Sequence, residues 1–286
     1  MTSGKTTNAR GGKSVAVVED EANLPAVVDY GGYEGAGFED MGRDDFATPF
    51  LSVLQPTSKI LVENDEMRPG MLLNTVTQIP YPAEKAKNHP GIVFIPCWRQ
   101  HIFVEWKKRD EGGNGGGFVA QHEPGSAIVE AAKAKYDFGA LEHNGNDLIE
   151  TFYVYGIHVM PDGTWEHLII PFTSTKIKPY KYWMTRLNTI QVPGPSGKAV
   201  KPPMFAHRFR MNTILEKRDA GLSYNFVIGF DGDNAQACRI EPGSELFNEA
   251  AGFYQLCKDG IAKPNYDAPA AQEAGGTTID GDAIPF

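Results

Sequence analysis

Cysteine is scarce in this chain. Cys97, Cys238 and Cys257 are far apart and odd in number among 286 residues. That spacing counts against a disulfide framework and against a zinc site, and it fits buried thiols in a reducing compartment. Long apolar runs are missing too. None approaches the ~20 residues of a membrane span, and the opening MTSGKTTNARGGKS has no apolar stretch of the kind a secretory signal needs. Membrane insertion and secretion are therefore not expected.

Catalytic signatures are equally sparse. The glycines of 112–117 lack the Gly-Lys-Ser/Thr ending of a phosphate-cradling loop, and Gly197-Lys198-Ala199 lacks both the hydroxyl and the upstream glycine, Val192 standing in its place. Asp231-Gly232-Asp233-Asn234 offers oxygens but not the spaced acids of a calcium loop, so it reads as a tight turn. No nucleophile elbow is present. None of the seven histidines forms a His-x-x-x-His pair. His158 and His167 are expected to face each other across a hairpin at 161–164 and to be structural. The expectation is a protein without enzymatic activity, cofactor or metal.

What the chain does have is segregated charge. Its formal net charge is −9, which at first argues against a polyanionic partner. Yet residues 176–218 hold ten Lys/Arg and a single acid, Glu216, so this segment carries +9 and the remainder −18. Polyanion binding depends on a local basic surface, not on the total. Single-stranded nucleic acid needs cations along the phosphates and aromatic faces for the bases. Lys176, Lys178, Tyr180, Lys181, Tyr182, Trp183 and Arg186 supply both kinds. On a helix Lys178, Lys181 and Tyr182 share one side, while Trp183 can turn inward. Lys198 and Lys201 follow in a Pro- and Gly-rich loop. Phe205 to Arg210 reads as a strand with Phe205, His207 and Phe209 on one face and Arg208 and Arg210 on the other. A core role for Trp183, Phe205 and Phe209 is the competing reading. A second candidate surface is Trp98-Arg99, His101, Phe103 and Glu105-Trp106, leading into Lys107, Lys108 and Arg109 and the glycine-rich loop.

Three segments are expected. Residues 1–45, with nine acids, four basic residues and Gly-rich patches, form a flexible acidic N-terminal segment. Residues 46–262 form the nucleic-acid-binding domain. Residues 263–286 form a disordered acidic tail, with no Lys or Arg from Pro264 onward. Within the domain, strands are predicted over 71–77, 91–98, 101–106, 148–160, 165–172, 206–215 and 222–230. Helices are predicted over 127–138 behind Ser126, from Ser174 or Thr175 through Leu187, and from Ser244 to about Lys258. The fold class is β-rich α+β, an antiparallel barrel of the oligonucleotide-binding kind elaborated by about three helices.

The last residues, Asp280-Gly281-Asp282-Ala283-Ile284-Pro285-Phe286, resemble the acidic tip of bacterial and phage single-stranded-DNA-binding proteins. The resemblance implies that Asp280, Asp282, Ile284, Pro285 and Phe286 dock on partner proteins of replication, recombination and repair. Phe50-Leu51-Ser52-Val53-Leu54-Gln55, Pro69 to Thr77, Val104-Glu105-Trp106 and Thr173 to Lys178 are similar to a group of tailed-phage proteins from early or replication gene regions, some described as single-stranded-DNA-binding. Together these resemblances imply a non-enzymatic phage protein that binds single-stranded DNA in the cytoplasm of the infected bacterium, alone or as a homo-oligomer. Two alternatives remain open: a structural or interaction protein that engages host machinery through the tip, and a metal-dependent nuclease or recombination enzyme.

Overall fold

The structure, a computed structural model, describes residues 31–33, 36–37, 39, 48–108, 116–136, 141–218, 221–264 and 266. The chain divides into two compact units, 1–41 and 42–286. In the first, the described residues include a turn in which Ala36 donates to the Tyr33 carbonyl.

The second unit carries the strands β1 (Leu51–Val53), β2 (Leu72–Asn74), β3 (Pro80–Tyr81), β4 (Ile92–Trp106), β5 (Phe118–His122), β6 (Glu142–His143), β7 (Asn146–Val159), β8 (Trp165–Thr173), β9 (Val192–Pro193), β10 (Ala199–Val200), β11 (Phe209–Arg218) and β12 (Gly221–Phe230). Its helices are α1 (Ile60–Glu63), α2 (Ala127–Ala134), α3 (Ile177–Thr189) and α4 (Glu245–Lys258). Ser126 and Ser244 cap α2 and α4 as predicted, each accepting from the third backbone N–H. The β-rich α+β expectation holds, with four helices among the described residues.

The expected pair of strands over 91–98 and 101–106 is instead one strand. β4 runs antiparallel to β7 along nearly its whole length, and a bulge lies between Pro96 and Trp98. A bulge inserts a residue and reverses which alternate positions face each side. Before it, Ile92 and Phe94 face the core that α3 covers. After it, Ile102, Val104 and Trp106 face the core that α4 covers. The partner position is Gly156, where a Cβ would stand 2.2 Å from the Ile95 carbonyl oxygen.

This β4–β7 ribbon organises the sheet. At one end β11 and β12 extend it beyond β4, and β8 extends it beyond β7; at the other end β5 and β6 flank it. Both faces are buried. α4 lays Ala250, Phe253 and Cys257 on one, and α3 lays Ile177, Tyr180 and Trp183 on the other. Tyr266 also packs into the α4 side, stacked on Phe118 with centroids 4.1 Å apart. A small sheet of β1, β2 and β3 joins the large one through single bridges, Phe50 to Ile169 and Glu84 to Thr213. Among the described residues these ladders do not make a closed barrel.

Two local expectations are corrected. His158 does not face His167. The register puts it opposite Glu166, to which its Nδ1 is bonded at 2.9 Å, while His167 reaches Glu249 and stacks on Phe253. The hairpin turn lies where predicted, but its pairing offsets the two histidines by one position. Phe205 and Ala206 lie in a 3-10 turn, His207 makes a single bridge to Arg239, and the ladders with β12 and β4 begin only at Phe209. Pro202 and Pro203 remove two backbone donors just before the turn.

Candidate nucleic-acid interface

α3 follows a 3-10 turn over Ser174–Lys176. Pro179 sits in its first turn, where a missing N–H breaks no intrahelical bond. The apolar residues recur at helical spacing, so the helix sorts its own side chains. Ile177, Tyr180 and Trp183 are buried, while Lys178, Lys181, Tyr182 and Arg186 stand in solvent. Tyr182 is 67% exposed and Trp183 only 2%. Trp183 packs edge-on against Phe209 and Phe94, so it takes the core role and offers no face to a base.

Tyr180 is buried but borders a cleft of about 530 Å³. The cleft lies between α3, the 201–204 segment and the middle of the ribbon. Arg99, Phe152, Met184, Lys201 and His207 are among its lining residues. Tyr180 stacks on Phe152 with centroids 4.6 Å apart, and Phe152 stacks on His101 at 4.1 Å. Burial pushes the Tyr180 hydroxyl up, against the opposing pull of the Arg99 guanidinium. His207 is 1% exposed with no partner for its Nδ1; burial, then Arg239, hold its pKa down. Lys201 bonds the Asn188 side chain, which ties the loop to the end of α3 without cancelling the charge. A volume of this size suits an aromatic ligand with a few polar contacts.

The remaining predicted cations differ in what they touch. Arg208 and Arg210 both pair with Asp231, so two charges share one acid. Arg186 lies over the Phe230 ring, 5.6 Å from its centroid, and donates to the Ile228 carbonyl at 3.4 Å. These three arginines therefore gather about residues 228–231. Lys176 is half-buried, and loss of hydration pushes its pKa down to about 8. Lys198 is exposed on the turn joining β9 and β10.

Lys107 and Lys108 are not brought to this surface. They follow the far end of β4, and Lys107 lies eight residues past Arg99 of the cleft, about 26 Å along the strand at ~3.3 Å per residue. Lys108 is moreover paired with Glu142. Arg109 and the tip residues Asp280, Asp282, Ile284, Pro285 and Phe286 lie outside the described residues.

Sequence reading placed Arg99 and His101 on a separate surface and did not single out Phe152. Alternation along 151–155 marked a strand, but not which ring would meet α3. It also missed that Glu105, His122 and His143 converge, because these positions are 17 and 38 residues apart from Glu105.

Among the described residues no helix is long and apolar enough to cross a membrane. Neither the curated proteins nor the solved structures contain a significant match. A family model described as Pam3 phage gp34-like protein matches residues 18–263, which takes in α3, the cleft lining and the whole β4–β7 ribbon. The chain thus belongs to a phage-associated family, the Pam3 phage gp34-like proteins.

Proposed function

We propose that this protein binds single-stranded DNA with little sequence preference, without catalysis, in phage DNA replication or recombination. One observation carries the reading: Lys178, Lys181, Tyr182 and Arg186 form an exposed basic and aromatic stripe on the same helix whose Tyr180 borders the cleft shared with Arg99 and Lys201. Cations on the outside follow phosphates, and the cleft is sized to take a base. The body is read as a barrel of the oligonucleotide-binding kind. The bridges from Phe50 to Ile169 and from Glu84 to Thr213 support that reading, since they link the small sheet to both β8 and β11.

The acidic tip, Asp280 to Phe286, recruits replication or recombination enzymes in the cytoplasm of the infected bacterium and competes with DNA for the basic stripe. Truncation to test this begins at 267, because Tyr266 packs in the core. Loss of 267–286 tightens DNA binding.

Titration of fluorescent oligo-dT at two salt concentrations tests the central claim. Four phosphate contacts, from Lys178, Lys181, Arg186 and Lys201, give a slope of log K against log salt of about −3. Absence of binding at low salt rejects the proposal and leaves a protein-interaction role as the better reading.

A further inference from the structure

At the far end of the ribbon Glu105 stands on β4 between β5 and β7. Its side chain is 4% exposed, and no Lys or Arg pairs with it among the described residues. Its Oε2 meets His122 Nε2 at 2.7 Å and His143 Nδ1 at 3.2 Å, and its Oε1 accepts from Asn146 Nδ2 at 2.6 Å. A carboxylate buried this deeply is costly in its charged form unless a cation stands beside it.

We propose that Glu105, His122 and His143 form a three-ligand site for a divalent metal of the zinc type. One oxygen and two nitrogens of these side chains all lie within 4.8 Å of one another. Tetrahedral zinc with bonds of about 2.0–2.1 Å places its ligand atoms about 3.3 Å apart. The His143 contact already has that separation, and the His122 contact opens by about 0.6 Å to accept the ion. Each imidazole then offers the lone pair of the nitrogen now facing Glu105 and carries its proton on the other ring nitrogen. Asn146 keeps hold of the remaining carboxylate oxygen and orients it, as an outer-shell partner does. Two imidazoles and a carboxylate suit zinc, cobalt or nickel better than magnesium or calcium. The fourth position opens beside His143, whose side chain is 28% exposed.

The ligands sit on three strands, and each is held by local geometry. His143 and Asn146 flank Asn144-Gly145, whose φ values of 52° and 82° are those of the tight turn that joins β6 to β7. Glu105 and His122 belong to paired strands on the two sides of the β4–β5 connection. An ion there staples β4, β5 and β6 together just before Lys107 and Lys108. This clip does not depend on DNA binding at α3. The scarcity of cysteine, which counts against thiolate zinc sites, says nothing about one built from histidine and glutamate.

The test uses the full chain, stripped with a chelator and titrated with Zn(II) by calorimetry and with Co(II) by visible absorption. One equivalent binds, the Co(II) protein shows ligand-field bands of a tetrahedral site, and Tm rises by about 5–10 °C at metal concentrations ~100-fold above Kd. His143→Gln, at the most exposed ligand, weakens binding at least tenfold while the metal-free protein keeps its circular dichroism. Glu105→Gln does the same if it folds, and His143→Gln carries the test if it does not. No binding of either ion, or binding unchanged in His143→Gln, overturns the proposal, whatever the oligo-dT titration shows.

Discussion

At the α3 end of the ribbon, Lys178, Lys181 and Arg186 stand in solvent with no acidic partner among the described residues. At the opposite end a carboxylate is buried among imidazoles, and the nearby Lys108 is already bonded to Glu142. Charge left exposed and unpaired costs little in stability and remains available to a ligand. Charge taken out of water has to be matched on the spot, so it holds strands together or holds an ion. The aromatics divide along similar lines. Tyr182 and Trp183 are neighbours in sequence, yet one lies in solvent and the other within the core. A basic and aromatic sequence segment is thus partly a surface and partly a foundation for it.

The sharpest way to break this comparison is to truncate the foundation. Trp183→Ala removes a ring packed against Phe94, Phe172 and Phe209. It destabilises the fold by about 3–5 kcal/mol, read as a Tm lowered by roughly 10 °C or more. An unchanged melt would place Trp183 outside the core. Next in size is Lys178→Glu combined with Lys181→Glu and Arg186→Glu. Oligo-dT affinity at low salt falls about 100-fold or more and the salt slope shrinks by about 2, with the melt little altered. Retained affinity would move the interface elsewhere on the molecule.

Tyr182→Ala separates stacking from charge. Losing one stacked base weakens binding by about 1–3 kcal/mol and leaves Tm alone; a lowered Tm with unchanged affinity would make Tyr182 structural. A last prediction concerns Lys176. Its folded pKa of about 8 lies below the ordinary lysine value, so between these the unfolded chain binds more protons than the native one. This group's contribution to stability therefore rises as pH increases from about 8 toward the unfolded lysine value of about 10.4. Denaturant melts of wild type and Lys176→Met across that range should converge as pH rises. A constant difference would show that the ammonium keeps its hydration.

Much of the fold was legible in the residues. Ser126 and Ser244 announce their helices, the Pro161–Thr164 turn announces the β7–β8 hairpin, and the spacing of Lys178, Lys181 and Tyr182 announces the exposed side of α3. These are local signals, set by capping, turn chemistry and periodicity within a few residues. The bulge that merges two expected strands into β4 was not legible, since nothing local distinguishes a reversal of facing from a chain break.

The sequence by itself determined the segregation of charge, the helical stripe of Lys178, Lys181 and Tyr182, and the type of most elements, because each depends on neighbours in the chain. Only the tertiary structure decided which charges stay free. Asp231 lies beyond the basic segment and engages Arg208 and Arg210 because β11 and β12 pair back on each other. Glu105 meets His122 and His143 because three strands converge at one end of a ribbon. Coulomb attraction and hydrogen bonding act over a few ångströms of space, whatever the separation along the chain. The partners of a charge are therefore settled by strand register.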